Sequence, residues 1–500
     1  MSARYILAID QGTTGTTVIL FDQQGQVVNK VYRELAQSYP QPGWVEHNAW
    51  EIWEGTRNLL DEILAKTGIR MQLLAAIGVT NQRETVVLWD RKTGRPVAPA
   101  IVWQCRRTAP LCARLKNEGL EPVFNKKTGL VLDPYFSGTK LKWILDQDPE
   151  LRKRAAKGEL AFGTIDSWLI YKLTGGEKHV TDYTNASRTL IFNIVDLQWD
   201  PELLEILEIP AEVLPEVRSS SEVYGQTIHL GLLPAGIPIA GAAGDQQAAL
   251  FGQTCFTPGM AKATFGTGAF ILMNTGSKII RSRNGLLTSI AWGLKGKIEY
   301  VLEGSVFVAG AAVQWLRDEL KIIEHAAQTE KMALDVADTK GAYFVPAFVG
   351  LGAPYWDPYV RGTITGISRG FNNKHLVRAT LEAIIYQTKE VLDLMAADAE
   401  IPIAELRLDG GASANDFICG FLSDMTRVQV QRPSVLETTA LGAAFLAGLA
   451  VGVWKNKKEL RDSCRADSIY ECSLAEEKQK QLYEGWKKAI QCARSWANYT

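Results

Sequence analysis

Apolar and polar positions alternate along the chain in blocks that read as strands broken by glycine-rich turns. Tyr5-Ile-Leu-Ala-Ile9 is an apolar run of strand length. It meets the polar stretch Asp10-Gln-Gly-Thr-Thr-Gly-Thr-Thr17 and resumes as Val18-Ile-Leu-Phe21. Asp22-Gln-Gln-Gly25 predicts a turn, and Gln26-Val-Val starts a third strand. The pattern returns in the second half of the chain. Gly259-Met-Ala-Lys-Ala-Thr264 leads to Phe265-Gly-Thr-Gly268 and then to Ala269-Phe-Ile-Leu-Met273. Two Gly/Thr hairpins, each flanked by strands, suggest two related halves. A third glycine-rich turn, Gly410-Gly-Ala-Ser-Ala-Asn415, follows Leu406-Arg-Leu-Asp409 and runs into the apolar helix Phe417-Ile-Cys-Gly-Phe-Leu422. Helical periodicity is clear over 50–64, 375–397 and 476–496. The Ala- and Gly-rich apolar stretch 440–454 is shorter than the roughly 20 residues that cross a bilayer, and predicts a buried helix. Strands interleaved with helices indicate an α/β class.

A chain of 500 residues exceeds what one hydrophobic core supports, about 250–300 residues, so at least two domains are expected. The Pro-, Gly- and Leu-rich stretch 230–239 places the boundary near residue 250, giving domains 1–250 and 251–500. With 46% hydrophobic and 22% charged residues the chain has enough apolar surface to fold, which excludes disorder as its main state. Lys plus Arg total 54 and Asp plus Glu 55, a net charge of −1, so no global attraction to nucleic acid or to an anionic membrane is expected. The seven cysteines are an odd number without a Cys-x-x-Cys pair, against a disulfide framework or a structural zinc site. A reducing, cytoplasmic setting is the simplest expectation. Met1-Ser2-Ala3-Arg4 and the short strand after it do not form a secretory signal.

Glycine lets backbone N–H groups approach a ligand closely, and threonine adds a hydroxyl, so paired Gly/Thr turns could surround a polyphosphate. No P-loop run and no Gly-x-Gly-x-x-Gly after a strand is present. Asp10, at a strand end, is placed where a carboxylate could hold Mg²⁺. Leu74-Ala-Ala-Ile-Gly-Val79 runs into Thr80-Asn-Gln-Arg83-Glu84. Arg83 and Glu84 could present a donor fork and an acceptor to ligand hydroxyls, although by spacing alone a surface ion pair is the simpler reading. Trp103, in Trp103-Gln-Cys-Arg-Arg107, is by composition more simply a core residue. Asp245 opens an apolar helix, where residue type favours an N-cap and the alternative is a carboxylate at the base of a cleft. The five histidines show no metal-ligand spacing.

Taken together these segments resemble the glycerol kinases, within the carbohydrate-kinase family. The resemblance is carried by Asp10-Gln-Gly-Thr-Thr14, Asn81-Gln-Arg-Glu84, Trp103-Gln-Cys-Arg-Arg107, Gly244-Asp-Gln-Gln-Ala-Ala-Leu-Phe-Gly252, Phe265-Gly-Thr-Gly268 and Asp409-Gly-Gly-Ala-Ser-Ala-Asn415. Tyr135-Phe-Ser-Gly-Thr-Lys140-Leu-Lys-Trp143 matches a signature of the wider family. The resemblance implies two actin-like, ribonuclease-H-like α/β domains around a deep cleft. It implies phosphorylation of glycerol by ATP with Mg²⁺, and assembly as a homodimer or homotetramer. Arg83, Glu84, Trp103, Tyr135, Asp245, Gln246 and Phe270 would form the glycerol pocket, with Asp245 as general base. Thr13, Thr14, Gly15, Thr267, Gly310, Gln314, Gly411 and Asn415 would form the nucleotide site, and Asp10 would be the metal-associated carboxylate. The chain departs from the family at Gly15-Thr16-Thr17, where an Arg is common, and in Gly231-Leu-Leu-Pro-Ala-Gly236, which lacks the Arg of members inhibited by fructose 1,6-bisphosphate. His229 does not align with the histidine phosphorylated in some members, so neither form of regulation is expected. The rival expectations are a kinase for another polyol or a pentulose, and an actin-like ATPase that transfers nothing to a small molecule.

Overall fold

A computed structural model describes residues 4–355, 357–464 and 466–497. The first hairpin forms as its apolar pattern demands. Strand β1 (Tyr5–Gln11) pairs antiparallel with β2 (Gly15–Phe21), Ile9 opposite Val18 and Asp10 opposite Thr17. Strand β3 (Val27–Glu34) adds to β2 and is longer than Gln26-Val-Val alone suggests. Helix α1 (Ala49–Thr67) then crosses over. It buries Ile52, Trp53, Leu59, Leu60, Ile63 and Leu64 on one face, is capped by the Asn48 side chain accepting from Trp50 N at 2.9 Å, and ends at Gly68 in the left-handed region. Strand β4 (Leu74–Asn81) returns parallel to β1. After a long insertion, β5 (Ser221–Gln226) and β6 (Pro238–Gly244) complete a six-stranded sheet of order β5-β6-β4-β1-β2-β3. The insertion has its own core, including Phe124, Phe136, Leu141 and Leu203, and carries Trp103 and Tyr135 packed against that core.

Helix α2 (Asp245–Gly252) leads into the second sheet. Its strands are β7 (Met260–Phe265), β8 (Ala269–Gly276), β9 (Leu287–Leu294) and β10 (Lys297–Val306). Helices α3 (Gly310–Asp318) and α4 (Asn373–Ala399) follow, then β11 (Glu405–Asp409), α5 (Asp416–Thr426), β12 (Val430–Pro433), α6 (Thr438–Ala450) and β13 (Ala466–Tyr470). The sheet order is β9-β10-β8-β7-β11-β12-β13. Strand for strand, β7, β8 and β10 repeat the antiparallel β1, β2 and β3, while β11 and β12 repeat the parallel β4 and β6. The duplication suggested by two hairpins is therefore a duplication of whole sheets. His375, at the start of α4, has a structural role, since with Asn372 it closes a capping box.

The two halves exchange helices. Helix α2 packs against β7 and β8, and α6 packs against β4, β6 and β1. The two helices also pack on each other, in a core shared by Ile6, Ala8, Phe251, Leu272, Trp292, Ala443 and Phe445. Close approach requires glycine here. A Cβ on Gly442 would lie 1.8 Å from the Ala248 carbonyl oxygen, and one on Gly78 2.3 Å from that of Ala443. The apolar stretch 440–454 is helical only to Ala450; Trp454 folds back edge-on to Phe445 and donates to the Gln23 carbonyl at 3.0 Å. Among the described residues no helix is long and apolar enough to cross a membrane, and all seven cysteines are unpaired thiols. Gly442→Ala is expected to destabilise the chain by about 1–3 kcal/mol in urea unfolding, because backbone rather than a side-chain tip must move. Gly420→Ala, on α5 with open space around it, is expected to be neutral or to stabilise by up to about 1 kcal/mol.

Candidate active site

The turn after β4 sets the geometry. Glu84 sits at φ 61°, in the left-handed region that a non-glycine residue rarely adopts. Its carbonyl accepts from Ser137 Oγ at 3.1 Å and Lys140 Nζ at 3.4 Å, both on the helix Ser137–Gln147. Lys140 is fully buried, donates also to the carbonyls of Tyr135 and Phe136, and is lowered by burial to about 7. The signature motif thus fixes the backbone on both sides of the pocket.

Arg83 and Glu84 are not a surface ion pair: they are 2% and 1% exposed. Arg83 Nη1 donates to Glu303 Oε2 at 2.6 Å and Gln247 Oε1 at 3.2 Å. Its Nη2 donates to Glu303 Oε1 at 3.0 Å and the Tyr135 hydroxyl at 3.3 Å. Its Nε lies 3.2 Å from Asp245 Oδ1 and 3.7 Å from Glu84 Oε1. Arg188, also buried, donates from Nε to Glu84 Oε1 at 2.6 Å, from Nη2 to Glu303 Oε1 at 3.1 Å and from Nη1 to Ser289 Oγ at 2.9 Å. Burial alone would raise Glu303, but Arg188 and Arg83 outweigh it and hold the carboxylate down at about 2. Burial raises Glu84 against the pull of the same two guanidiniums.

Asp245 is the first residue of α2 and not its N-cap, a position held by Gly244. Its Oδ1 accepts from Gln246 N at 2.7 Å. Burial raises its pKa while Arg83 and Lys262 oppose, and 32% of the side chain stays open. Gln246 accepts from Lys262 Nζ, which also donates to Thr264 Oγ1 at 2.7 Å; burial lowers Lys262 to about 8. Trp103 is half-buried at the rim rather than a core residue. Its ring meets Tyr135 edge-on at 5.5 Å and Phe270 at 6.5 Å, giving a three-ring wall. Trp103 Nε1 donates to Thr13 Oγ1 at 2.8 Å, tying that wall to the first Gly/Thr turn.

In that turn Gly12 N donates to the Gly15 carbonyl at 2.8 Å, and a Cβ on Gly15 would collide with Tyr32 and Arg33. Thr14 is exposed at its tip. In the second turn Thr267 is exposed, and its carbonyl accepts from Ala309 N at 2.9 Å and Ala311 N at 3.0 Å. Gly310 packs on Gly266, with Gln314 exposed further along α3. Gly410 packs on the Phe265 backbone, and Gly411 faces open space. Asn415 is partly committed elsewhere: its Oδ1 caps α5 at Ile418 N, 3.2 Å, and its Nδ2 donates to Thr329 Oγ1 at 3.2 Å. Asp10 is raised to about 7 by burial and then by the charges of Asp245 and Glu437, with Lys30 opposing.

Residues 5–252 match the N-terminal domain of the FGGY family of carbohydrate kinases, and residues 261–451 match its C-terminal domain. The chain belongs to the FGGY carbohydrate kinases. It is 57% identical to a protein named glycerol kinase from Caldanaerobacter subterraneus subsp. tengcongensis, over 99% of each chain. It is also 57% identical, again over 99% of each, to one from Alkaliphilus metalliredigens. The crystal structure of Plasmodium falciparum glycerol kinase with ADP superposes with a TM-score of 0.93 at 37% identity, covering 98% of each chain. The two repeated sheets are accordingly the paired actin-like domains of an FGGY kinase.

Sequence reasoning on this FGGY kinase missed Arg188, Glu303 and Lys262. Glu303 and Lys262 each stand as a single charge within an apolar strand, in Tyr300-Val-Leu-Glu-Gly-Ser-Val306 and Met260-Ala-Lys-Ala263. A lone charge in such a setting must find a buried partner, and that was the available signal. Arg83→Ala is expected to cost about 3–5 kcal/mol in thermal or urea unfolding, because it strips a partner from buried Glu303 and Glu84. Arg83→Lys is expected to recover only part of that, since one ammonium cannot span Glu303, Asp245 and Tyr135.

Proposed function

We propose that the chain transfers the γ-phosphoryl group of ATP to a primary hydroxyl of glycerol, giving ADP and glycerol 3-phosphate. The observation that carries this reading is the convergence of Asp245, Arg83 and Glu84 beside the Trp103–Tyr135–Phe270 wall. Carboxylates and a guanidinium serve hydroxyls, and the rings serve a short carbon chain. The full-length relatives named glycerol kinase support the same substrate. In this reading residues 1–250 carry most of the glycerol pocket and residues 251–500 most of the nucleotide site.

Asp245 accepts the proton of the attacking hydroxyl as its oxygen bonds to the γ-phosphorus and the bond to the β-phosphate oxygen breaks. A carboxylate raised by burial is a better proton acceptor than one in water. Arg83 and Gln246 orient the hydroxyls, Glu84 accepts from one, and Tyr135 with Trp103 and Phe270 confines the carbons. Thr13, Thr14 and Gly15 on one side, and Thr267, Gly310, Gln314, Gly411 and Asn415 on the other, bind the nucleotide. Their turns offer backbone N–H groups and hydroxyls to the phosphates. Among the described residues no cluster of three or more His, Cys, Asp or Glu is placed to hold a metal ion by protein alone. Asp10 nevertheless suits Mg²⁺, which takes one or two carboxylates plus phosphate and water. Its carboxyl is held neutral up to about 7 by burial and neighbouring negative charge, a condition a cation relieves. Bound there, Mg²⁺ would neutralise charge on the β- and γ-phosphates.

ADP release on addition of glycerol, compared with a panel of longer polyols and pentuloses, tests the assignment; turnover that ignores glycerol would contradict it. Asp245→Asn is expected to lower kcat at least about 10²-fold while glycerol still binds. A near-normal kcat would remove Asp245 as the base.

A further inference from the structure

Two of the residues placed on glycerol, Arg83 and Glu84, lie in the first half of the chain. The groups that orient them come partly from the second. Glu303 is on β10, is 2% exposed, and receives Arg83 through both oxygens. Such fork-to-fork pairing fixes the guanidinium plane as well as its place. With that plane set, Arg83 Nε is directed at Asp245 and Nη2 at Tyr135. The same Glu303 oxygen that takes Arg83 Nη2 also accepts from Arg188, whose Nε holds Glu84 Oε1. Arg83, Glu303, Arg188 and Glu84 therefore form a closed ring of alternating charge. A second arm crosses the same boundary, where Lys262 on β7 holds the Gln246 side chain.

We propose that Glu303 is a positioning residue for the polyol: from the second domain it orients Arg83 directly and Glu84 through Arg188, so that the glycerol pocket is complete only while the two domains are docked along β10. This rests on the glycerol kinase reading above. Arg188 and Glu303 are both buried beneath the residues that meet the hydroxyls, and they act through them. Removing the orientation weakens interactions with glycerol, while the Gly/Thr turns that serve the nucleotide lie outside the ring.

The test measures ATP-dependent glycerol phosphorylation by the full chain and by Glu303→Gln and Glu303→Asp. Glu303→Gln leaves two buried guanidiniums short of a negative charge and is the variant at risk of not folding. Glu303→Asp keeps the charge but is one methylene too short to bridge both guanidiniums, and it carries the test where the Gln variant does not fold. Each variant is used only if its thermal unfolding is cooperative. The KM for glycerol is expected to rise at least fivefold, with the KM for ATP within twofold of the parent chain. A purely structural role would weaken both substrates alike. A glycerol KM less than fivefold raised, or an ATP KM rising in proportion, overturns the inference. Failure of the unaltered chain to phosphorylate glycerol overturns the functional reading itself, and this inference with it.

Discussion

Buried charge must be matched, and the pairing of Arg83 with Glu303 is the match on which the rest of this site depends. Around it Arg188 holds Glu84, Lys262 adds a second positive charge near Asp245, and Asp245 closes the set near the opening. Ion pairs taken out of water contribute little net stability, because desolvation offsets attraction. What such a set does supply is direction. The guanidinium donors have acceptors at definite places, so Arg83, Glu84 and Asp245 are held in place by the protein alone. Preorganised donors of this kind need no rearrangement as charge develops in the reaction.

The fold delivers these groups economically. Two sheets of matching strand order present their Gly/Thr turns, and the exchanged helices α2 and α6 hold the sheets against each other. Asp245 gains its place because α2 begins where β6 ends, next to the turn after β4. The insertion between β4 and β5 adds Trp103 and Tyr135, two of the three rings of the aromatic wall, and β8 supplies Phe270.

Much of this was legible in the sequence, for physical reasons. Hairpins announce themselves through apolar runs broken by Gly and Thr, and α1 and α4 through their period. The pocket residues were legible as a set only through resemblance, since singly Arg83-Glu84 resembles a surface pair and Trp103 a core residue. Asp245 shows the limit of residue-type reasoning: Asp favours an N-cap, yet Gly244 holds that position, and the carboxylate turns to Arg83. Glu303 and Lys262 left only the trace of a lone charge in an apolar strand, and the partners of Arg188 and Glu303 are far away in sequence. Only the folded chain shows that residues 83, 188 and 303 meet. Asn415, placed in the nucleotide site by resemblance alone, also caps α5 and bonds Thr329 through its side chain.

The contact of α6 with α2 carries a consequence for how the lobes are spaced. With even a methyl group at Gly442 falling 1.8 Å from the Ala248 carbonyl oxygen, the helices meet backbone on backbone. A Cβ on Gly252 would likewise lie 2.1 Å from the Thr438 carbonyl oxygen, and side chains such as Phe251 and Phe445 pack around the contact, so no slack exists for sliding. The two glycines thus set the spacing of the lobes at this joint, and a larger residue at either would wedge them apart.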